Sequence, residues 1–251
     1  SGINLASANE QVGVMAKNSS TLTVAGGISI SGGNNNVGVY GTDNSTVTLS
    51  GNMIVAAPAV IDSTNPMKYS SVGVFLKNSG YTGNGDISIR NYSIGIYGKE
   101  LNGKSISHTG TTMAVGNHGV GIYGTGTGAE KITLAMTSGI ILGKDNSIGV
   151  FADGMNSTVI GNIAIGANTS IGIASKGTGN VDYTGDMTIA DKVDTGSVGI
   201  YKLDGAGTIA TSAGNWNVGN SGYGIYVKQT TGKEAEIYNS ANMVLGMSAV
   251  G

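Results

Sequence analysis

Short runs of alternating apolar and polar residues, separated by turns rich in glycine, asparagine and serine, recur along the whole chain. From Val12 to Asn36 the order is VGVM, KNSS, TLTVAG, GISIS and GGNNN. Leu22 and Val24 alternate with Thr21 and Thr23, and Ile28 and Ile30 alternate with small residues, the period-two signature of a half-buried strand. The scheme returns in VTLSGNMIV (47–55), ISIR (87–90), KSISHTGTTMAV (104–115), KITLAMTSGIIL (131–142), STVIGNIAI (157–165), VDYTGDMTIA (181–190), GTIATSAGNWNV (207–218) and AEIYNSANMVL (235–245). Strand-forming residues bounded by turn-forming ones predict many short strands and no helix.

A second regularity overlies the first. The word Val37-Gly38-Val39-Tyr40-Gly41 has close copies centred on Gly13, Gly38, Gly73, Gly95, Gly121, Gly149, Gly172, Gly199 and Gly224, and seven of the eight gaps fall between 22 and 28 residues. A period of roughly 20–50 residues marks a repeat architecture. No stretch has apolar positions at three-and-four spacing, and glycine inside a helix is unfavourable by about 1 kcal/mol, so helical solenoids are excluded. The leucine frame of leucine-rich repeats is missing. A parallel β-helix with three strands per turn remains: about nine turns, 1–251 forming one solenoid on the order of 43 Å long. The pattern starts and stops in mid-repeat, which reads as a piece of a longer chain.

Strand alternation predicts that Val37 and Val39 face inward while Gly38 and Tyr40 face outward. Two inward ladders follow, Val12, Val37, Val72, Ile94, Val120, Ile148, Ile171 and Val198, and Val14, Val39, Val74, Ile96, Ile122, Val150, Ile173, Ile200 and Ile225. The outward ladder holds Tyr40, Phe75, Tyr97, Tyr123, Phe151, Tyr201 and Tyr226, broken by Met15 and Ala174, beside an outward stripe of glycines. Such a row either covers the backbone or contacts a sugar or protein. Lys17, Lys77, Lys99, Lys176 and Lys228 read as a solvated turn row.

The longest gap, between Gly38 and Gly73, contains both prolines, Pro58 and Pro66. Residues 56–70 are therefore expected to leave the rod as a loop, with Val60, Ile61, Met67 and Tyr69 as its candidate contact residues. A plain tolerated insertion is the alternative.

Composition narrows the chemistry. Glycine is 44 of 251 residues without a strict every-third pattern, which excludes collagen, and charged residues are only 11%, which excludes a charged disordered chain. The formal net charge is −2 and Arg90 is the one arginine, so nucleic acid is not an expected partner. There is no cysteine, hence neither disulfide nor thiolate metal site. His108 and His118 stand ten apart without a ligand cluster and are expected at turns or on the surface. Asp182, Asp186, Asp191 and Asp194 read as an acidic corner. Gly83-Asn84-Gly85-Asp86-Ile87 is a single unit resembling a calcium-binding nonapeptide, a motif that signifies only in tandem. No metal, cofactor or catalytic residue is expected.

The words SIGIYG, SVGVF and GVGIYG, with Asn-Gly corners and I-x-I strands between them, resemble passenger domains of bacterial autotransporters, which leave the cell by type V secretion. The likeness is greatest to the very large outer-membrane adhesins of fusobacteria, and it covers essentially the whole chain. It implies a right-handed β-helix exposed at the cell surface, monomeric, and anchored in the outer membrane through a C-terminal β-barrel outside this sequence. It also implies attachment to host cells or other bacteria, a virulence function, through a surface protein or glycan. A stalk that presents a distal head is the alternative. A polysaccharide lyase or hydrolase is a third reading, disfavoured by one arginine and scattered carboxylates.

Overall fold

The computed structural model of the chain describes residues 2–6, 8–62, 64–65, 67–192, 196–230 and 232–251. Pro66 and Asp194 lie outside them. All regular structure among the described residues is β, in 26 strands. One turn is Val12–Ala16, Thr21–Val24 and Ile28–Ile30, each strand on its own face of a coil. Val12–Ala16 pairs in parallel with Val37–Gly41, Thr21–Val24 with Thr46–Ser50, and Ile28–Ile30 with Met53–Val55. The same pairings continue turn by turn to Tyr223–Lys228, Ala235–Asn239 and Asn242–Leu245. The architecture is a parallel β-helix of about nine turns, as the repeat predicts.

The strands of the repeated word form a separate nine-stranded sheet, and the other two faces run together into one of 17 strands. They are joined where Ile106–Val115 and Lys131–Leu142 continue around the corner, with a register shift between Gly110 and Thr112. In four other turns a glycine with positive φ breaks the strand at that corner. Gly51, Gly85, Gly161 and Gly185 have φ between 110° and 149°, a conformation that β-branched residues avoid.

The tube is filled by stacked aliphatic side chains. Val39, Val74, Ile96, Ile122, Val150, Ile173 and Ile200 are each 0% exposed, so the second predicted ladder lies inside. Ile28, Met53, Ile87, Met113, Ile140, Ile163, Met187 and Trp216 face them from the opposite wall of the same core. Each such side chain contributes about 1.5–3 kcal/mol when buried, and because neighbouring turns bury one another the gain is cooperative.

The other predicted ladder is not inside. Val12 is 48% exposed, and the residues from Val37 to Val198 in that column are half-buried apart from Val72, which is 9% exposed. The glycines take the inward place instead. A Cβ on Gly38 would strike the core side chain of Ile28, and one on Gly199 the core side chain of Met187. Backbone pairing explains the exchange: in every turn Val37-type and Val39-type residues match their neighbours while the glycine between is skipped. The strand swivels at the glycine, so two successive residues point in and strict alternation fails. The carbonyl oxygen of the next turn's glycine lies 2.6 Å from where a Cβ on Gly38 or Gly121 would be, and 2.5 Å for Gly149. Only glycine lets consecutive turns approach this closely.

Polar residues complete the corner before the word. Asn36, Ser71, Ser93, Ser147, Ser170 and Ser197 are fully buried. The Ser147 N–H donates to Ser170 Oγ and the Ser170 N–H to Ser197 Oγ, both at 3.2 Å. The Ser170 and Ser197 hydroxyls in turn donate to the carbonyls of Gly143 (2.9 Å) and Gly166 (2.6 Å). Corner backbone groups away from water are thereby satisfied.

Two titratable groups inside the tube depart from the expected pattern. His108 is fully buried on a strand and not at a turn or surface. Gly83 leaves room for the Tyr81 ring, whose hydroxyl donates to His108 Nδ1 (2.9 Å) while His108 Nε2–H donates to the Gly85 carbonyl (2.9 Å). These partners suit a neutral imidazole, and burial lowers its pKa from 6.5. The unfolded chain then binds a proton that the folded one refuses. Stability is complete above about pH 6.5 and falls as the pH drops from there through the lower folded value. Melting temperatures at pH 7.5 and 5 are expected to show that His108→Leu removes part of the acid-side loss; identical pH profiles would contradict the neutral buried imidazole.

Lys202, directly after Tyr201, is the second such group. Its column otherwise holds Gly41, Leu76, Gly98, Gly124, Ala152, Ser175 and Val227, matched in register. The side chain is 0% exposed, and Nζ donates to the carbonyls of Gly177 (2.7 Å) and Gly179 (2.6 Å) and to Ser175 Oγ (3.2 Å). With no carboxylate among these partners, burial pulls its pKa from 10.5 to about 8. The folded chain loses this proton before the unfolded chain does, so stability should rise between pH 8 and 10 in the native chain and stay flat there in Lys202→Met. A parallel rise in both would show that Lys202 is not the group responsible.

Candidate ligand-binding surface

The aromatic row lies on the outside of the nine-stranded sheet, with the column of Val37, Ile94, Val120, Ile148, Ile171 and Val198 beside it. Tyr40, Phe75, Tyr97, Tyr123, Phe151 and Tyr201 are half-buried, and Tyr226 is 39% exposed. Register alignment puts consecutive rings against one another: Tyr40 and Phe75 stack at 5.1 Å and 10°, whereas Phe75–Tyr97, Tyr97–Tyr123 and Tyr123–Phe151 meet edge to face at 4.9–5.1 Å. Such pairs add about 0.5–1.5 kcal/mol beyond area burial. Burial, then Asp153 and Tyr97 nearby, raises the Tyr123 pKa. The row therefore covers the sheet and also exposes part of each ring. Its neighbour is a β-branched stripe rather than the expected glycine stripe, which makes the face more apolar than alternation implies.

Ala174 interrupts the row between Phe151 and Tyr201. Beyond it Tyr201 and Tyr226 stack at 5.6 Å and 15°, and Tyr223 meets Tyr226 edge to face at 5.3 Å. Tyr223 was missed by sequence reasoning. It occupies the β-branched column, paired with Val198, and the aromatic in place of valine or isoleucine was its visible signal.

The expected loop residues do not join the row. Among the described residues no strand falls between Met53–Val55 and Val72–Lys77. Val60 and Ile61 are 52% and 48% exposed, while Met67 and Tyr69 are half-buried. The loop leans on the corner at Asn34 and Asn35: the Val60 N–H donates to Asn34 Oδ1 (3.1 Å) and the Asn35 N–H to the Tyr69 carbonyl (3.1 Å). Asp62 organises its tip, accepting from the Thr64 hydroxyl (2.6 Å) and backbone (2.9 Å) and pairing with Lys68 (3.2 Å). The Thr64 hydroxyl, the Thr64 N–H, Lys68 and the Asn65 N–H, in that order, hold its pKa well below the carboxylate range. Tyr69 faces Lys68 Nζ at 5.0 Å and makes no ring contact with the row.

Carboxylates elsewhere serve the corners. Asp86 Oδ1 accepts the N–H groups of Thr111 (3.1 Å) and Thr112 (2.9 Å). Asp186 Oδ1 accepts that of Asn215 (2.8 Å), and Asp191 Oδ1 that of Asn220 (2.7 Å). Among the described residues no group of three or more His, Cys, Asp or Glu could hold a metal ion. Lys17, Lys77, Lys99, Lys176 and Lys228 are exposed, and Lys176 pairs with Asp153 at 3.2 Å.

By fold the chain is a β-solenoid of the parallel β-helix class. No protein-family model, no curated protein and no solved structure matches it.

Proposed function

We propose that this chain is a surface-exposed β-helical passenger segment of a bacterial autotransporter adhesin, mediating or supporting attachment to host cells or other bacteria through a surface protein or glycan. The observation that carries the reading is the outer face of the nine-stranded sheet, where seven aromatic rings and a column of half-buried β-branched residues line one side of the rod. An elongated apolar strip of this kind suits contact with an extended partner. The commitment of Asp86, Asp186 and Asp191 to corner backbone groups supports a binding rather than a catalytic role. The repeated SIGIYG-type words support the autotransporter assignment and, with it, an outer-membrane anchor and a cell-surface location. The close packing of Tyr40 through Phe151 favours the second reading, a stalk in which the rings chiefly shield the sheet. Incubating the purified chain with epithelial cells and with bacteria separates them. Saturable attachment that weakens when Tyr226 and Tyr201 are replaced by alanine is expected of an adhesive segment; a correctly folded chain that attaches to neither would contradict it.

A further inference from the structure

Two departures from the repeat fall in the same place. Ala174 removes a ring from the aromatic column just before Tyr201, and Tyr223 puts a ring into the β-branched column one turn after Val198. Where Tyr223 meets the end of the aromatic column the outer face has a hollow of about 320 Å³, lined among the described residues by Thr169, Ile171, Gly196, Val198, Tyr201, Tyr223 and Tyr226. Tyr201 and Tyr226 lie nearly parallel, and Tyr223 stands at 70° to Tyr226, so the rings form two walls of an angle.

We propose that this hollow binds one ring of a neutral sugar. This deepens the adhesive reading, and rests on it, by naming the ligand class.

The chemistry of the lining selects that class. None of the described lining residues is charged, which disfavours phosphate, carboxylate and ammonium ligands. The volume lies at the small end of the range for ligand sites, roughly 300–1,000 Å³, the size of a single ring rather than a long chain. Tyrosine offers an apolar face and a polar tip. A pyranose matches both, with C–H groups on its faces and hydroxyls around its edge. The hydroxyls of Tyr201, Tyr223 and Tyr226 have no hydrogen-bond partner among the described residues, whereas the enclosed Tyr81 and Tyr183 hydroxyls are engaged by His108 and by the Gly161 and Asp186 carbonyls. A purely apolar peptide side chain would leave those three phenols unmatched. Gly196, without a side chain, keeps the rim open.

The test uses the intact 251-residue chain and the methyl glycosides of glucose, galactose, mannose and N-acetylglucosamine, read by saturation-transfer NMR and titration. At least one glycoside is expected to bind in the millimolar range. Tyr223→Val restores the kind of residue that the other turns carry at this position, so it should fold as the native chain does and weaken binding about tenfold or more. Tyr92→Phe, outside the row where the ring stacks on His118 at 4.6 Å, should leave binding unchanged. Absence of binding by all four glycosides, unchanged binding in Tyr223→Val, or displacement of sugar by an aromatic dipeptide amide that binds more tightly would each overturn the proposal. Cell attachment that survives Tyr223→Val removes this site and leaves the adhesive reading standing. Sugar binding without cell attachment does the reverse.

Discussion

Ile122→Asp is expected to destabilise the chain by about 4 kcal/mol or more, because it places a carboxylate inside the tube without a partner. Ile122 is 0% exposed and stacked between Ile96 and Val150, so the charge can reach neither water nor a cation. The damage should spread to adjacent turns, since each turn depends on its neighbours. Circular dichroism melting should show a lower or split transition. Ile148→Asp makes the informative comparison. Ile148 belongs to the same word but to the half-buried outer column, paired with Val120 and Ile171, and its replacement should cost less than about 1.5 kcal/mol. Equal losses in the two variants would contradict the distinction between inner and outer columns.

Gly149→Ala should be nearly as damaging although it adds one methyl group. The new Cβ would lie 2.5 Å from the carbonyl oxygen of Gly172 in the next turn. That oxygen is backbone held by the parallel ladder and cannot swing aside as a side-chain end could. Relief requires separating two turns, which breaks the Ile148–Ile171 and Val150–Ile173 pairing on either side. A loss of about 2–4 kcal/mol is expected, at the upper end for overpacking. Gly80→Ala is the control, because its Cβ would meet nothing closer than 3.8 Å. Unchanged melting of Gly149→Ala would mean that the turns are not in this close contact.

Much of the coil was legible because the repeat reports it. The spacing of the glycine words gives the turns, the I-x-I strands give the walls, and the Val39 and Tyr40 columns fall where alternation puts them. Alternation misled at Val37 and Gly38, since a period-two rule presumes an unbroken strand and the swivel at glycine reverses the residue before it. The glycine recurs for a contact between turns that one strand alone does not reveal. His108 looked like a surface residue because its neutralising partners, Tyr81 and the Gly85 carbonyl, come from the preceding turn. Lys202 escaped notice among the exposed lysines, although it stands one position after the aromatic instead of two and so points inward. The tyrosine hollow required alignment of Tyr201 and Tyr226 with Tyr223 on different columns, which only the register provides.

These columns also bear on function. A rod whose outer face repeats the same residues offers a partner the same contact at every turn, so selectivity must arise where the repeat changes, and Tyr223 is such a place. Such columns exist only if successive turns lie one above another.

The distance between spin labels on the outward column Thr23, Thr48, Thr82, Ser107, Thr133, Thr158, Asp182 and Ala210, matched in register turn by turn, tests that stacking most directly. At about 4.8 Å per turn the backbone separation is about 24 Å for the Thr23–Thr158 pair and about 34 Å for Thr23–Ala210. Two narrow distributions whose centres differ by about 10 Å are predicted. Broad distributions, or centres that do not move with the number of intervening turns, would contradict it.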